Sequence, residues 1–260
     1  KLKDVVGQAE TGSGKTIAFC LPILEKIDVG KGLQTIVLTP TRELCIQVTD
    51  VFKTFGKKLG VSTTSVYGGV GINPQIKNIR TSEIVVGTPG RMLDHLRRRT
   101  IDLRNVRFLI LDETDKMLEM GFIHDVEKII SYTPKNRNTL MFSATIMRDI
   151  KRLMHKHLKD PVIIKTKSQV DKSKLRQIFY DIYDKKDKFS LLVHLLKHET
   201  SDLAIVFCAT RKESDLVAKN LKKQGIVASP IHGGMTQNQR TISLDKLKKE
   251  KTDVLVATDV

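Results

Sequence analysis

Short runs of valine, isoleucine and leucine recur along this chain, and each stops abruptly at small, polar or Gly- and Pro-containing residues. The runs are Val5-Val6, 36–38, 84–86, 108–111, 140–142, 204–207 and 254–256. Continuous apolar runs of this length are typical of strands buried on both faces. Helical patterns lie between them, for example at 41–59 and 188–198. Because strands alternate with helices, the sequence predicts βαβ units, a mostly parallel sheet and an α/β fold class.

One polar, Lys-rich segment, KTKSQVDKSK, starts at Lys165 and breaks this rhythm. It lacks a face that could be buried, so it predicts an inter-domain linker, which we place at 166–175. Residues 1–165 then form one complete α/β domain and residues 176–260 a second. Because the second pattern stops on an apolar strand whose neighbours are missing, we expect that domain to be truncated. We also expect the natural N-terminus to lie upstream of Lys1.

Charge and cysteine content narrow the class of protein. The 45 Lys and Arg residues against 29 Asp and Glu give a formal net charge of +16. Clustered positive charge favours a polyanionic partner because it releases counterions from nucleic acid, although a solvated Lys-rich surface explains the charge equally well. Cys20, Cys45 and Cys208 are far apart, which argues against a zinc site or a disulfide framework and favours a reducing compartment. No apolar stretch reaches the roughly 18 residues needed to span a bilayer.

The segment AETGSGKT, residues 9–16, follows the first apolar run and opens a helical pattern. Gly12 and Gly14 let the backbone curl so that its N–H groups face phosphate oxygens, reinforced by the helix N-terminus. Lys15 can reach the β and γ phosphates, and the Thr16 hydroxyl is placed to bind Mg²⁺. The sequence therefore predicts a P-loop. Its predicted nucleotide-binding residues are Ala9, Thr11, Gly12, Ser13, Gly14, Lys15 and Thr16.

An acidic motif, Asp112-Glu113-Thr114-Asp115, comes directly after the apolar run 108–111. Nucleotide hydrolases hold Mg²⁺ with a carboxylate at the tip of a buried strand beside the P-loop, which predicts Asp112 as a metal ligand together with Thr16. Glu113 could accept a proton from the attacking water. The alternative is an acidic turn before a helix, where carboxylates are also favourable. The upstream P-loop favours catalysis, with Lys15, Asp112 and Glu113 as the catalytic residues.

The acidic motif and the P-loop together resemble the DEAD-box helicases of superfamily 2. Further signatures of that family follow in order: PTREL at 40–44, GG at 68–69, TPGR at 88–91, SAT at 143–145, Val206-Phe207 with Thr210 and Arg211, Gln237-x-x-Arg240, and ATD at 257–259. Singly, most of these are ordinary loop chemistry. Together, in order and each near a strand end, they extend the resemblance over essentially the whole chain. It implies two RecA-like parallel-sheet domains in tandem and an RNA-stimulated ATP hydrolase.

The resemblance also implies specific roles. Lys15, Thr16, Asp112 and Glu113 would bind and hydrolyse ATP with Mg²⁺. Ser143 and Thr145, near Asp115, would couple the nucleotide state to closure of the two domains. The residues implied to hold the RNA backbone are Arg42, Gly69, Thr88 and Arg91 in the first domain and Arg240 and Thr258 in the second. Hydroxyls, backbone N–H groups and arginines suit phosphate and sugar contacts and carry no base code, so the expected partner is single-stranded RNA.

Ala9 stands where the usual P-loop pattern has Gly. Three departures from the family pattern bear on activity, and the first is Thr114, which stands where the family name has Ala. The upstream segment that carries the family's adenine-sensing Gln is absent. The chain also stops before the Arg-rich motif that supplies arginine fingers, which are worth orders of magnitude in phosphoryl-transfer rate. We therefore expect weak ATP hydrolysis by this chain and good hydrolysis by the longer protein.

Alternatives from other classes stay open on sequence alone. An RNA clamp with little catalysis and a DNA-directed superfamily 2 translocase both fit, whereas a small-molecule kinase would not need the later motifs. The resemblance implies a monomer without membrane association, regulated through its flanking regions by other proteins. It implies a cytoplasmic location, or a nuclear one in a eukaryote.

Overall fold

The computed structural model describes residues 3–10, 12–166, 176–184, 186–199, 203–249 and 252–258. The chain divides into two compact units, Lys1–Leu175 and Arg176–Val260, and each has its own parallel sheet. Apart from residue 166, the predicted linker lies outside the described residues. No described helix has both the length and the apolar character needed to cross a membrane.

The first unit is built on a seven-stranded sheet with strand order β3-β4-β2-β5-β6-β1-β7. Its strands are β1 (Val5–Gln8), β2 (Thr35–Leu38), β3 (Thr63–Val66), β4 (Ile84–Gly87), β5 (Phe108–Leu111), β6 (Asn138–Ser143) and β7 (Val162–Lys165). Its helices are α1 (Lys15–Leu24), α2 (Arg42–Gly56), α3 (Ile72–Ile79), α4 (Pro89–Arg97), α5 (Thr114–Glu119), α6 (Ile123–Ser131) and α7 (Arg148–His157), with a 3₁₀ turn at Lys57–Leu59. Every strand pair is parallel, which confirms the predicted α/β class.

Both faces of the central strands are buried, which explains their unbroken apolar sequences. Successive side chains of a strand point to opposite faces of the sheet. Ile36 and Leu38 pack in one core cluster with residues of α4, α6 and α7. Val37, between them, packs in a second cluster with residues of α1 and α2. Helices therefore cover the sheet on both sides, and no polar position is tolerated in the middle of β2.

The pairing register brings the carboxyl ends of the strands level. Leu38 lies beside both Gly87 and Leu111, and Gln8 lies beside Ser143. The loops that leave β1, β2, β4, β5 and β6 therefore emerge at one edge of the sheet. Ligands of open α/β sheets bind at this edge.

The second unit contains a three-stranded parallel sheet of order β8-β10-β9. Its strands are β8 (Ala204–Phe207), β9 (Ala228–Ile231) and β10 (Val254–Ala257), and its helices are α8 (Asp187–His198), α9 (Arg211–Lys223) and α10 (Gln237–Lys248). The prediction that β8 is buried on both faces is wrong, because Ile205 is 56% exposed and Phe207 70%. On the face of the sheet that carries Ile205 and Phe207, Leu244 and Leu247 of α10 pack against β9 and β10. Among the described residues, no helix covers β8 on this face.

The close fit between β4 and its neighbours predicts the effect of one substitution. A Cβ atom on Gly87 would lie 2.5 Å from Val66 Cγ2 and 2.8 Å from Met92 Cε. We expect Gly87→Ala to lower the free energy of unfolding by about 1–3 kcal/mol through overpacking. Urea denaturation measures this. As a matched control, Gly90→Ala introduces a Cβ with no heavy atom within 4 Å and should not destabilise. Equal stability of the two variants would contradict this packing.

Candidate nucleotide site and nucleic-acid interface

The loop after β1 is tied to the neighbouring strand β6 and to itself. The Ala9 amide donates to the carbonyl of Ser143 at 3.1 Å, one residue beyond the β1–β6 pairing. The Ser13 hydroxyl donates to the Glu10 carbonyl at 2.7 Å and closes a tight turn. Thr11, predicted to bind nucleotide, lies outside the described residues. The described residues of the loop are thus anchored at the sheet edge and close to the start of α1.

Two glycines give this loop its curvature. Gly12 has φ 83° and Gly14 has φ 84°, a left-handed conformation that is costly for residues with a Cβ. Gly14 is also the N-cap of α1 and supplies no side-chain cap, so the first-turn N–H groups of α1 can bind an anion. Lys15 and Thr16 begin the helix at this point. This backbone geometry is compatible with the predicted phosphate-binding loop, which stays a prediction.

Asp112 sits directly after β5 and is only 2% exposed. Its amide donates to the Leu38 carbonyl at 2.9 Å, and its Oδ1 accepts from the Glu113 amide at 3.1 Å. Burial raises the pKa of the Asp112 carboxyl to about 6, and the nearby positive charge of Lys15 opposes this rise. The structure therefore brings together Lys15 of the phosphate loop and Asp112 of the acidic motif.

Glu113 has a left-handed backbone, with φ 50° and ψ 53°. Such a conformation is rare in residues other than Gly and costs on the order of 1–2 kcal/mol. It forms the sharp turn by which the chain leaves β5 and enters α5. The predicted catalytic carboxylate thus stands at a strained position, which is where functional residues are often found.

Thr114, the departure from the family pattern, fits its site. Its side chain is buried, and its hydroxyl lies 3.1 Å from the Phe142 carbonyl of β6 and 3.3 Å from the Leu111 carbonyl. The hydroxyl therefore has hydrogen-bond acceptors in both neighbouring strands. The Thr for Ala replacement ties α5 to β6 and leaves no unsatisfied hydroxyl.

Asp115 joins the acidic motif to the loop that follows β6. Its Oδ2 accepts hydrogen bonds from the Ala144 amide at 3.1 Å, the Thr145 amide at 2.9 Å and the Thr145 hydroxyl at 3.1 Å. The Ser143 hydroxyl donates to the Thr145 carbonyl at 2.6 Å within the same turn. The three residues predicted to couple nucleotide state to movement are thus in one hydrogen-bonded group.

A further member of this group was missed from the sequence. The Gln8 side-chain amide, at the end of β1, donates to the Ala144 carbonyl at 3.2 Å. The only signal was a polar residue closing an apolar strand. The loop 143–145 is therefore held from two sides, by Gln8 and by Asp115.

The residues predicted to hold RNA in the first unit form one surface around loop 67–71, which follows β3. Gly69 has φ 81°, a conformation that favours glycine, and a Cβ atom there would lie 2.7 Å from Arg42 Cζ. Both terminal nitrogens of Arg91 donate to the Val70 carbonyl at 3.1 Å. The Thr88 amide donates to the Val66 carbonyl at 3.0 Å, where the loop begins. Arg42, Gly69, Thr88 and Arg91 are therefore brought together.

In the second unit, Thr258 follows β10, and its amide donates to the Ile231 carbonyl of β9 at 3.2 Å. It lines a cavity of about 470 Å³ with Thr210 and Arg211, which follow β8. Arg240 lies in the first turn of α10, behind a capping box formed by Thr236 and Gln239. Thr258 thus stands at the carboxyl edge of the second sheet, with hydroxyl and guanidinium groups beside it.

The comparison with known proteins decides the family. The DEAD/DEAH box helicase model matches residues 1–153, and the helicase conserved C-terminal domain model matches residues 187–260. The chain belongs to the DEAD/DEAH box helicase family. The predicted resemblance is confirmed.

Similar helicases are found among curated bacterial proteins. The DEAD-box ATP-dependent RNA helicase CshA of Bacillus subtilis (strain 168) is 43% identical over 261 residues, which is 99% of this chain and 53% of that protein. The ATP-dependent RNA helicase CshA of Listeria monocytogenes is 44% identical over 260 residues, 99% of this chain and 50% of that protein. The chain spans about half the length of the curated relatives it matches.

Solved helicase structures share the fold. A DEAD box protein from the hyperthermophile Methanococcus jannaschii is 41% identical with a TM-score of 0.63, covering 100% of this chain and 70% of that one. The Saccharomyces cerevisiae Dbp5 bound to RNA and ADP BeF3 is 28% identical with a TM-score of 0.86, covering 98% and 66%. These similarities confirm the predicted tandem RecA-like fold of the helicase.

The buried Asp112 carboxyl predicts a pH-dependent stability. Its pKa is about 6 in the folded protein and about 3.9 in an unfolded chain, so the native state resists ionisation. The penalty is absent below pH ~4, grows between about pH 4 and 6, and stays constant at higher pH. In the absence of nucleotide and Mg²⁺, we expect the free energy of unfolding of Asp112→Asn to exceed that of the wild type by about 2–3 kcal/mol at pH 8. At pH 4 the two proteins should be equally stable.

Urea denaturation over this pH range measures the effect. The exposed Asp50→Asn serves as control and should show no such rise, because an exposed carboxylate keeps its hydration. A difference between Asp112→Asn and wild type that stays constant from pH 4 to 8 would contradict the assignment.

The Thr114 hydroxyl predicts a second, independent result. Thr114→Val keeps the shape of the side chain but removes the hydroxyl that bonds the Phe142 carbonyl, so we expect a loss of about 1–2 kcal/mol in stability. Thr114→Ser keeps the hydroxyl and isolates the cost of the lost methyl group. Thermal unfolding of both variants is the measurement. A Val variant as stable as wild type would show that the hydroxyl contributes nothing.

Proposed function

We propose that this chain is the motor region of an ATP-dependent RNA helicase, which binds ATP with Mg²⁺ and couples its hydrolysis to local RNA duplex unwinding or remodelling of RNA–protein complexes. The observation that carries the proposal is that one acidic turn places Asp112 near Lys15 and bonds Asp115 to the loop 143–145. A phosphate site is thereby linked to a loop that a changed nucleotide could move. The Dbp5 structure bound to RNA and ADP BeF3 supports both ligands for a similar protein.

The residues present fit Mg²⁺ bound together with a nucleotide. Within the described part of the chain, no group of three or more His, Cys, Asp and Glu side chains could hold a metal alone. Mg²⁺ in nucleotide sites typically takes one or two protein ligands, with phosphates and waters filling the rest. Thr16 and Asp112 would be those ligands. The buried Asp112 carboxyl, whose pKa is raised, would become fully ionised beside a cation.

The hydrolytic chemistry needs few protein groups. The N–H groups of the α1 first turn and Lys15 would hold the phosphates and offset their charge. Glu113 would take the proton of the water that attacks the γ phosphate. Mg²⁺ would supply further charge neutralisation on the phosphate oxygens. The loop 143–145 would then sense loss of the γ phosphate through Asp115.

The partner we propose is the backbone of single-stranded RNA. Arg42, Gly69, Thr88 and Arg91 supply guanidinium, hydroxyl and backbone groups on one surface of the first unit. Arg240 and Thr258 supply the same chemistry in the second unit. Such groups contact phosphate and sugar and do not select a base sequence. Choice of a particular RNA would then come from outside these contacts.

ATP turnover with and without single-stranded RNA tests the proposal, on this chain and on a version extended past Val260. We expect RNA to stimulate turnover by the extended protein. Glu113→Gln should reduce that turnover about a hundredfold or more while MgATP still binds, because only the general base is lost. Glu119→Gln, on the exposed end of α5, is the matched control. If both versions bind MgATP and neither responds to RNA, a DNA-directed or non-catalytic role replaces the RNA assignment.

A further inference from the structure

The loop 67–71 is fastened to α3 at its first residue. Gln75 is 6% exposed, and its side-chain amide donates to the Tyr67 carbonyl at 3.0 Å. Gly69, two residues after Tyr67, packs on Arg42. The carbonyl of the next residue, Val70, accepts hydrogen bonds from Arg91. The buried Gln75 therefore holds the start of the loop whose other end forms the proposed RNA surface.

Gln75 is itself held by a fully buried histidine. His95 of α4 is 0% exposed, with its Nε2 3.1 Å from Gln75 Oε1 and its Nδ1 2.8 Å from the Thr100 hydroxyl. Burial lowers the pKa of His95, which favours the neutral imidazole. The side chains of three separate segments thus meet at a single buried ring.

The Tyr67 carbonyl fixes the direction of the hydrogen bonds that lead to it. The Tyr67 carbonyl can only accept, so the Gln75 side chain must present its NH₂ group there and its oxygen to His95. His95 Nε2 must then carry the hydrogen, which leaves Nδ1 to accept from the Thr100 hydroxyl at 2.8 Å. The same hydroxyl lies 3.2 Å from the His95 carbonyl, a second and more distant acceptor for its single hydrogen. Thr100, His95 and Gln75 form one directed chain that ends on the loop, and it sets the tautomer of His95.

The same helix α4 holds the loop a second time, on the exposed side. Arg91 lies in its first turn and bonds the Val70 carbonyl, whereas His95, one turn later, acts on Tyr67 through Gln75. A short loop fixed at two main-chain carbonyls has little freedom to move Gly69 away from Arg42. Pre-ordering of this kind strengthens binding because the ordering cost is not incurred when the ligand arrives.

We propose that Gln75 and His95 are positioning residues for nucleic-acid binding, which hold the loop 67–71 in the conformation that receives the backbone. Neither side chain is exposed enough to touch the strand itself, so both act through the Tyr67 carbonyl. The inference rests on the proposed function, since it assigns a purpose to the surface formed by Arg42, Gly69 and Arg91. It predicts that buried side chains on α3 and α4 set the affinity for RNA.

The experiment titrates a fluorescein-labelled oligouridine with the full chain in the presence of Mg²⁺ and a non-hydrolysable ATP analogue, and measures anisotropy. Gln75→Glu keeps an acceptor for His95 but replaces the donor that faces the Tyr67 carbonyl. We expect RNA binding to weaken about five- to tenfold, because the variant loses one hydrogen bond that orders the loop. MgATP affinity and RNA-independent ATP turnover should stay unchanged.

A pair of His95 variants provides a second measurement that does not depend on Gln75→Glu folding. His95→Leu removes both ring nitrogens, and we expect it to weaken RNA binding to a similar degree. His95→Gln carries an amide NH₂ at the same distance from the backbone as Nε2, so it can donate to Gln75 and should recover most of the lost affinity. Rescue by Gln with failure by Leu would support the directed chain, and equal affinities of the two variants would overturn it.

Two controls separate this inference from general destabilisation and from the proposed function. Ser82→Ala removes a buried hydroxyl that bonds the Asn78 carbonyl of α3 and does not face the loop, so it should lower stability without changing RNA affinity. Arg42→Ala tests the surface directly. If Arg42→Ala weakens RNA binding while Gln75→Glu and His95→Leu behave like Ser82→Ala, the positioning role is wrong and the proposed function stands. If Arg42→Ala also has no effect, the RNA surface itself is wrong.

Discussion

Hydrogen bonding of the parallel sheets continues one residue beyond the strands, and the candidate site depends on this extension. The amides of Ala9, Thr88, Asp112 and Thr258 each donate to the last carbonyl of a neighbouring strand, at 3.1, 3.0, 2.9 and 3.2 Å respectively. The main chain of each residue is thereby held as firmly as the sheet. Its side chain, however, is past the apolar layers that cover the strands. Rigid backbone with a polar side chain at the sheet edge is what a preorganised site requires.

The two buried carboxylates at this edge are treated differently by their surroundings. Asp115 accepts three hydrogen bonds through one oxygen from the loop 143–145, which gives it a structural task. Asp112 accepts from the Glu113 amide within its own turn, and burial raises its pKa. A carboxylate whose ionisation is opposed by burial gains most from an added cation. This difference supports the proposal that Asp112 would bind the metal, whereas Asp115 connects the acidic turn to the loop 143–145.

Local sequence patterns predicted most of the fold, because buried parallel strands require unbroken apolar runs and the P-loop requires its glycines. They could not predict contacts between distant segments. The bonds from Gln8 to Ala144 and from His95 to Gln75 depend on strand register and helix docking, which a single run of residues does not encode. The exposure of Phe207 was missed for the same reason, since an apolar run does not tell whether a helix covers its second face.

Backbone strain, hydrogen bonding to the sheet and side-chain burial act together at Glu113. Its left-handed backbone costs on the order of 1–2 kcal/mol, and a free turn would relax it. Relaxation is blocked on one side because the Asp112 amide is bonded to β2, and on the other because the Thr114 hydroxyl is bonded to β6. Both anchors are buried, so moving either one would leave polar groups without partners, at about 1–3 kcal/mol each. Breaking either anchoring hydrogen bond costs as much free energy as relaxing the backbone of Glu113 would gain. The turn therefore keeps Glu113 beside Asp112 at the sheet edge.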